Sequence, residues 1–222
     1  MHYFLITGTS SGIGEALAHA LLGPGHTLIC LSRRDNPTLR AEARELGVPL
    51  YYLRYDLAEL GQLDRIVQEM VDRIDPARAA SVTLIQNAGV LAPVGLTGQE
   101  YPDLEATARN LNVNLLAPMH VAAALAAHMQ NWPLPKRILN ISTGAARRPV
   151  PGWAAYCSSK AGLDMHSQCL AAEQAGQAHP VRVVSLAPGV VDTEMQAFIR
   201  MQEAERFPGV QRFLDLKAQG DL

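Results

Sequence analysis

Tyr156 and Lys160 stand four residues apart in the run Trp153-Ala-Ala-Tyr-Cys-Ser-Ser-Lys-Ala-Gly, and fourteen positions before the tyrosine Ser142 closes the apolar run Arg137-Ile-Leu-Asn-Ile-Ser. On a helix the i, i+4 spacing puts phenol and ammonium on one face, where the cation stabilises a phenolate and lowers the phenol pKa. Such a pair can deliver a proton. Two common residues at helical spacing equally describe a solvated face, so the surrounding elements have to decide. Cys157 adjoins Tyr156 but points about 100° away on a helix, and it reads as packing rather than as a nucleophile.

At 222 residues the chain is long enough to bury a core without disulfides or metal, and one domain spanning 1–222 is the expectation. No stretch reaches the roughly 20 apolar residues of a membrane span, and the Met1-His-Tyr-Phe start has no signal-peptide pattern. A net charge of −2 and a pI near 6.4 supply no basic field for nucleic acid or an anionic membrane. Cys30, Cys157 and Cys169 have neither an even count nor metal spacing, which suits reduced thiols in the cytoplasm.

Short apolar runs at 3–7, 27–31, 50–54, 82–86, 137–142 and 181–186 read as strands. Helical recurrence fills 13–22, 37–46, 61–74, 101–129 and 154–177 between them. Strand and helix in alternation imply a doubly wound α/β fold, a parallel Rossmann-type sheet with helices on both faces. Further helical material lies at 194–207 and 211–216, and no seventh apolar strand follows. Either the sheet has six strands and an exposed edge, or a further strand lies beyond the given residues.

The first strand runs into Thr7-Gly8-Thr9-Ser10-Ser11-Gly12-Ile13-Gly14, where a helix begins. Glycines there permit a tight turn and close approach of backbone to a pyrophosphate, whose charge the free amides of the helix start attract. A plain structural bend is the alternative. The second strand ends in Ser32-Arg33-Arg34-Asp35, about 20 residues on, where dinucleotide folds place an acid on the adenosine ribose. A hydroxyl followed by guanidinium groups suits a 2′-phosphate instead, which predicts NADPH over NADH. Alternatively, Arg33 and Arg34 form a solvated turn and Asp35 holds the ribose.

These residues resemble the short-chain dehydrogenase/reductase family over nearly the whole chain. Gly8, Gly12 and Gly14 look like its cofactor loop, Asn87-Ala88-Gly89 like its Asn-Ala-Gly motif, and Asn114, Ser142, Tyr156 and Lys160 like its catalytic set. Pro188-Gly189-Val190-Val191-Asp-Thr193 looks like the segment that closes over the nicotinamide, with a substrate lid at about 189–213. Two stretches, 152–165 and 188–200, look particularly like the bacterial benzil reductases, relatives of the sepiapterin reductases. The resemblance implies NADP(H) as cofactor and a small carbonyl compound as substrate. It sets Ser10, Ser11 and Ile13 near the pyrophosphate, Asp56 and Leu57 at adenine, Asn87 and Gly89 along the ribose, and Val190 and Thr193 at the carboxamide. Asp56 as a strand-end cap remains an alternative. Asn114 would belong to a water-mediated relay behind Lys160, or merely bond backbone. Relatives that pair their long helices make 101–129 and 154–177 candidates for a homodimer contact. Many NADP-using relatives carry a basic residue where Ser11 stands, so 2′-phosphate recognition rests on Ser32, Arg33 and Arg34.

Ligands in open α/β sheets sit at the carboxyl ends of the strands. The loops there offer Val90, Leu91, Ala145, Val150, Trp153, Met195, Phe198 and Met201 as substrate-lining residues, with Trp153 flat enough to pack an aryl ketone. Hydrophobic ketones and vicinal diketones are the expected substrates. A dinucleotide-binding regulator would not need Tyr156.

Overall fold

In the computed structural model, which describes residues 1–99 and 103–222, the six expected strands occur within a residue of their expected bounds. They are β1 (His2–Thr7), β2 (His26–Ser32), β3 (Leu50–Arg54), β4 (Ser81–Gln86), β5 (Lys136–Ile141) and β6 (Val181–Leu186). All pair in parallel, in the order β3-β2-β1-β4-β5-β6. Leu5, Ile6, Leu28, Ile29, Leu84 and Ile138 are wholly buried. Neighbours in sequence on one strand are thus both covered, which requires helices on both faces and explains why the strands read as continuous apolar runs.

The register brings Thr7 opposite both Leu31 and Gln86, and Gln86 opposite Asn140. The loops that leave the carboxyl ends therefore start at one level. Consecutive connections run outward from β1 in opposite directions, β1 to β2 to β3 on one side and β4 to β5 to β6 on the other. A crevice opens where the winding reverses, between β1 and β4.

Helices α1 (Gly12–Ala20), α2 (Pro37–Glu45), α3 (Leu63–Val71), α4 (Leu104–Leu111), α5 (Ala117–His128) and α6 (Ala154–Gln174) cover the sheet. The expected helix at 61–74 divides into a 3-10 turn, Leu60–Gln62, followed by α3. The expected helix at 101–129 is divided by a π-helical turn, Asn112–Leu116, and its expected start at Tyr101 lies outside the described residues. After β6 come α7 (Glu194–Arg200) and α8 (Val210–Gln219). The expected helix at 194–207 is cut short, because the chain turns over Glu203 to carry Phe207 beneath Trp153, where it is 1 % exposed. Tertiary packing of one aromatic side chain overrides the helical propensity of that stretch.

Strand β6 forms an edge, with Val184 and Leu186 exposed, and no seventh strand occurs among the described residues. No helix among them is long and apolar enough to cross a membrane.

Gly14 brings α1 close against the turn that follows β1. A Cβ on Gly14 would stand 2.2 Å from the Gly8 carbonyl oxygen and 2.3 Å from Asn87 Nδ2, so neither backbone nor amide has room for it. Gly14→Ala should lower stability by about 3 kcal/mol, the upper end of what overpacking costs. Gly61→Ala, with nothing within 4 Å of its Cβ position, should leave the thermal midpoint nearly unchanged. Thermal unfolding followed by circular dichroism compares the two.

Candidate active site

The glycine turn is the first wall of a cavity of about 870 Å³ at the carboxyl ends of the strands. Gly8 has φ of 76° and Gly12 of 62°, a left-handed conformation that a side chain would strain. The turn is tied down from the neighbouring strand. Asn87 Nδ2 donates to the Thr7 and Gly8 carbonyls, both at 3.1 Å, and Thr7 Oγ1 accepts from the amides of Asn87 and Ala88. Ser11 occupies the N-cap of α1 without bonding any of its amides, whereas Asn36 caps α2 and Asp103 caps α4 through their side chains. An uncapped helix start opening on a cavity is an anion site, and it fits a pyrophosphate.

Nearly all the residues expected around a dinucleotide lie on this wall. Gly8, Ser10, Ser11, Gly12, Ile13, Ser32, Arg33, Arg34, Asp56, Leu57, Asn87, Ala88, Gly89, Pro188, Gly189, Val190, Val191 and Thr193 all line the cavity. Gly14 does not; it is buried beneath the turn, where it sets the approach of α1 to β1. Asp35 does not line it either, and its carboxylate accepts from Arg40 Nε and the Asn36 amide. Ser32 is 6 % exposed, and its hydroxyl lies 2.6 Å from both the Arg34 carbonyl and the Tyr52 hydroxyl. It shapes the turn that presents Arg33 and Arg34 to the cavity, which all three residues line. Asp56 accepts from the Ala58 amide at 3.0 Å and from Arg109 Nη2 at 2.8 Å. Burial works to raise its pKa, but these two partners hold the carboxyl below its ordinary value.

The second wall carries the chemistry. Ser142 follows β5, Tyr156 and Lys160 lie one turn apart on α6, and all three line the cavity at 5 %, 7 % and 3 % exposure. Ser142 Oγ is buried with no hydrogen-bond partner, an unmet donor and acceptor on the cavity wall. Lys160 Nζ donates to the Ile141 carbonyl at 2.8 Å. Burial pushes Lys160 down to about 8, with Asp164 opposing, and pushes Tyr156 up to about 12 against a hydrogen bond from Thr143. The sequence led us to expect the ammonium to lower the phenol. The enclosure has the opposite effect, because desolvation disfavours both charged forms.

Asn114 sits within the π-helical turn, fully buried. Its Nδ2 donates to Val90 O at 2.8 Å and Asn110 Oδ1 at 2.9 Å, and its Oδ1 accepts the Val90 amide. A Cβ on Gly89 would stand 3.3 Å from Asn114 Oδ1 and 3.7 Å from Lys160 Nζ, so the asparagine lies close behind the lysine. Sequence reasoning missed its partner Asn110, whose Nδ2 reaches the carbonyls of Val90, Leu91 and Ala92 and whose Oδ1 accepts from Ser159. The i, i+4 asparagine pair, Asn110 and Asn114, was the available signal.

The third wall is aromatic. Trp153 stacks on Phe207 at 4.8 Å with 14° between planes, meets Phe213 at 5.7 Å, and presents an edge to Tyr156 at 5.9 Å. Trp153, Val150, Met195, Val90, Leu91 and Ala145 line the cavity as expected from sequence. Phe198, on α7, and Met201, just past its end, do not; they are 36 % and 73 % exposed. Helical spacing let either face of α7 be chosen, and the packed face is the one carrying Met195 and Ile199. Phe207, Phe213, Gln196, Arg148 and Arg212 also line the cavity and were not anticipated. Among these, the Gln196 Oε1 atom is buried and unpartnered, as is Trp153 Nε1.

A glycine turn at the switch point, with serine, tyrosine and lysine facing it, defines a nicotinamide-type oxidoreductase fold. The short chain dehydrogenase model matches residues 2–204, and the chain belongs to that family. It is 40% identical to the benzil reductase ((S)-benzoin forming) of Bacillus cereus, over 100% of this chain and 88% of the relative. The sepiapterin reductase of Xenopus tropicalis is 33% identical over 98% of this chain and 84% of the relative. A solved structure from Beutenbergia cavernae, described as an NAD(P) dependent gluconate 5-dehydrogenase with NADP bound at low occupancy, superposes with a TM-score of 0.79. It is 27% identical and covers 92% of this chain and 78% of its own.

The buried lysine makes stability depend on pH. Its folded value of about 8 lies below the ordinary 10.5, so below pH 8 the charge is present in both states and burial penalises the native one. That penalty is relieved as pH rises through the interval between the two values. Relative to Lys160→Met, the parent chain should gain about 2 kcal/mol between pH 8 and pH 10. Tyr156, raised to about 12, works against stability only above its ordinary 10.0. Urea midpoints of the two proteins at both pH values measure the difference.

Proposed function

We propose that this chain is an NADPH-dependent carbonyl reductase acting on hydrophobic or aromatic ketones and vicinal diketones, in the cytoplasm. The observation that carries the reading is the unpartnered hydroxyl of Ser142, buried on the same cavity as Tyr156 and Lys160 and roofed by aromatic rings. Support also comes from the Bacillus cereus relative, which its name describes as reducing benzil to (S)-benzoin.

A dinucleotide held by its pyrophosphate on the glycine turn would supply, when bound, hydride for the carbonyl carbon. Ser142 Oγ donates to the carbonyl oxygen and stabilises the charge that develops on it. Tyr156 Oη gives that oxygen its proton. The phenol, raised to about 12, is protonated at neutral pH and so carries the proton that reduction of a carbonyl consumes. Lys160 Nζ, held by the Ile141 carbonyl, is placed to orient the nicotinamide ribose and to return a proton toward the phenolate. Asn114, fixed by the Val90 amide and carbonyl close to Lys160, is assigned to a water-mediated proton relay behind that lysine.

Specificity falls to the third wall. Trp153 stacked on Phe207 offers a flat surface to an aryl group, and its unpartnered Nε1–H offers a donor to a second oxygen. Segment 189–213 acts as the lid. The exposed Leu116 and Met165, on the π-helical turn and α6, make those helices the proposed homodimer contact.

With benzil as substrate, the parent chain should consume NADPH, and Tyr156→Phe should lower kcat by about 10²–10⁴, the usual contribution of a positioned proton donor. Unchanged turnover in that variant would remove Tyr156 from the reaction. A parent chain that reduces no ketone or diketone with either cofactor would overturn the reading. Arg33→Ala combined with Arg34→Ala should raise the KM for NADPH by about tenfold or more and leave that for NADH within about twofold. Equal effects on both cofactors would reject the 2′-phosphate assignment.

A further inference from the structure

Glu194, the first residue of α7, lies across the mouth of the nucleotide site. Its Oε2 accepts from Ser11 Oγ at 3.3 Å and from Arg34 Nη2 at 3.1 Å, while Oε1 lies 3.4 Å from the same guanidinium nitrogen. The two donors come from different strand-end loops, Ser11 after β1 and Arg34 after β2. Thr193, which caps α7 through its hydroxyl, sits against the same turn, with Cγ2 3.2 Å from where a Cβ on Gly12 would stand. The start of the lid helix is thus seated on the glycine turn, and one carboxylate joins the lid to both sides of the anion site.

A carboxylate and a phosphate ask for the same thing from a guanidinium and a hydroxyl, namely charge-assisted hydrogen bonds to oxygen. We infer that Glu194 is an internal stand-in for the cofactor's 2′-phosphate, holding Arg34 and Ser11 until the phosphate displaces it. This rests on the reading that Arg34 binds that phosphate. Glu194 is then a specificity-determining residue that weakens NADPH binding, since the incoming phosphate has to separate an ion pair and sit near the released carboxylate. NADH, which brings no phosphate to Arg34, leaves the pair intact. The pair is exposed on both sides, at 63% and 69%, so competition of a few-fold is its scale rather than many orders. Displacement also frees the start of α7, coupling cofactor arrival to the position of Met195 and Gln196 on the substrate side.

Fluorescence titration of NADPH and NADH into the parent, Glu194→Gln and Arg34→Ala tests the inference without turnover. Glu194→Gln should tighten NADPH about threefold to tenfold, shift NADH by less than twofold, and lose its advantage in high salt, where exposed charges are screened. In the ligand-free proteins, amide hydrogen exchange across Glu194–Arg200 should be a few-fold faster in both variants than in the parent. If Arg34→Ala weakens NADPH while Glu194→Gln leaves it unchanged, the stand-in is overturned and the cofactor reading survives. If Arg34→Ala binds NADPH as the parent does, the reading that Arg34 holds the 2′-phosphate fails and takes this inference with it. Equal tightening of both cofactors, or amide exchange indifferent to either substitution, also overturns it.

Discussion

The approach of Gly14 to the Gly8 carbonyl is the constraint on which the site depends. Because nothing larger than hydrogen fits between them, α1 begins directly over the end of β1 and its uncapped amides open toward the crevice between β1 and β4. Asn87, from the far side of that crevice, locks the turn through two carbonyls. The amide that holds the turn thus belongs to the strand on which the other half of the winding begins. A shift of the turn would therefore move the floor of the whole cavity, including Gly89 in front of Lys160.

Enclosure governs the second half of the site. Tyr156 and Lys160 are both nearly inaccessible, so each is driven toward its uncharged form, and among the described residues the buried side-chain polar atoms left unmatched on this cavity belong to Ser142, Trp153 and Gln196. A hydrogen bond from one of these buried atoms to a ligand is stronger than the same bond would be in water. The cost is that these groups stand unsatisfied when no ligand meets them.

Much of this was legible in the sequence because it is local. A strand shows as a run of apolar residues, a phosphate turn as glycines at one junction, and a tyrosine and lysine on a helix as a spacing of four. What sequence left unread depends on contacts between distant residues. Phe207 and Phe213 become a wall only because Trp153, more than fifty positions earlier, gives them a surface to stack on. Ser32 as a phosphate ligand and Asp35 as an alternative ribose ligand are both open in the sequence, until backbone geometry turns one toward Tyr52 and the other toward Arg40. The choice between the Met195 and Phe198 faces of α7 likewise needs the core it packs on.

The five-residue turn Asn112–Leu116 acts as a phase change in what is otherwise one rod. An α-helix advances about 100° per residue, so accommodating one extra residue rotates everything beyond by that angle. Upstream of the turn the rod aims Asn110 at the loop after β4; downstream, Val121, Ala122 and Leu125 face the sheet. A helix of uniform pitch carrying the same residues would align one of these sets and misalign the other. Removing a single residue from the turn would therefore act at a distance, leaving both halves helical while turning Asn110 and Asn114 out of step with the layer that α5 packs against.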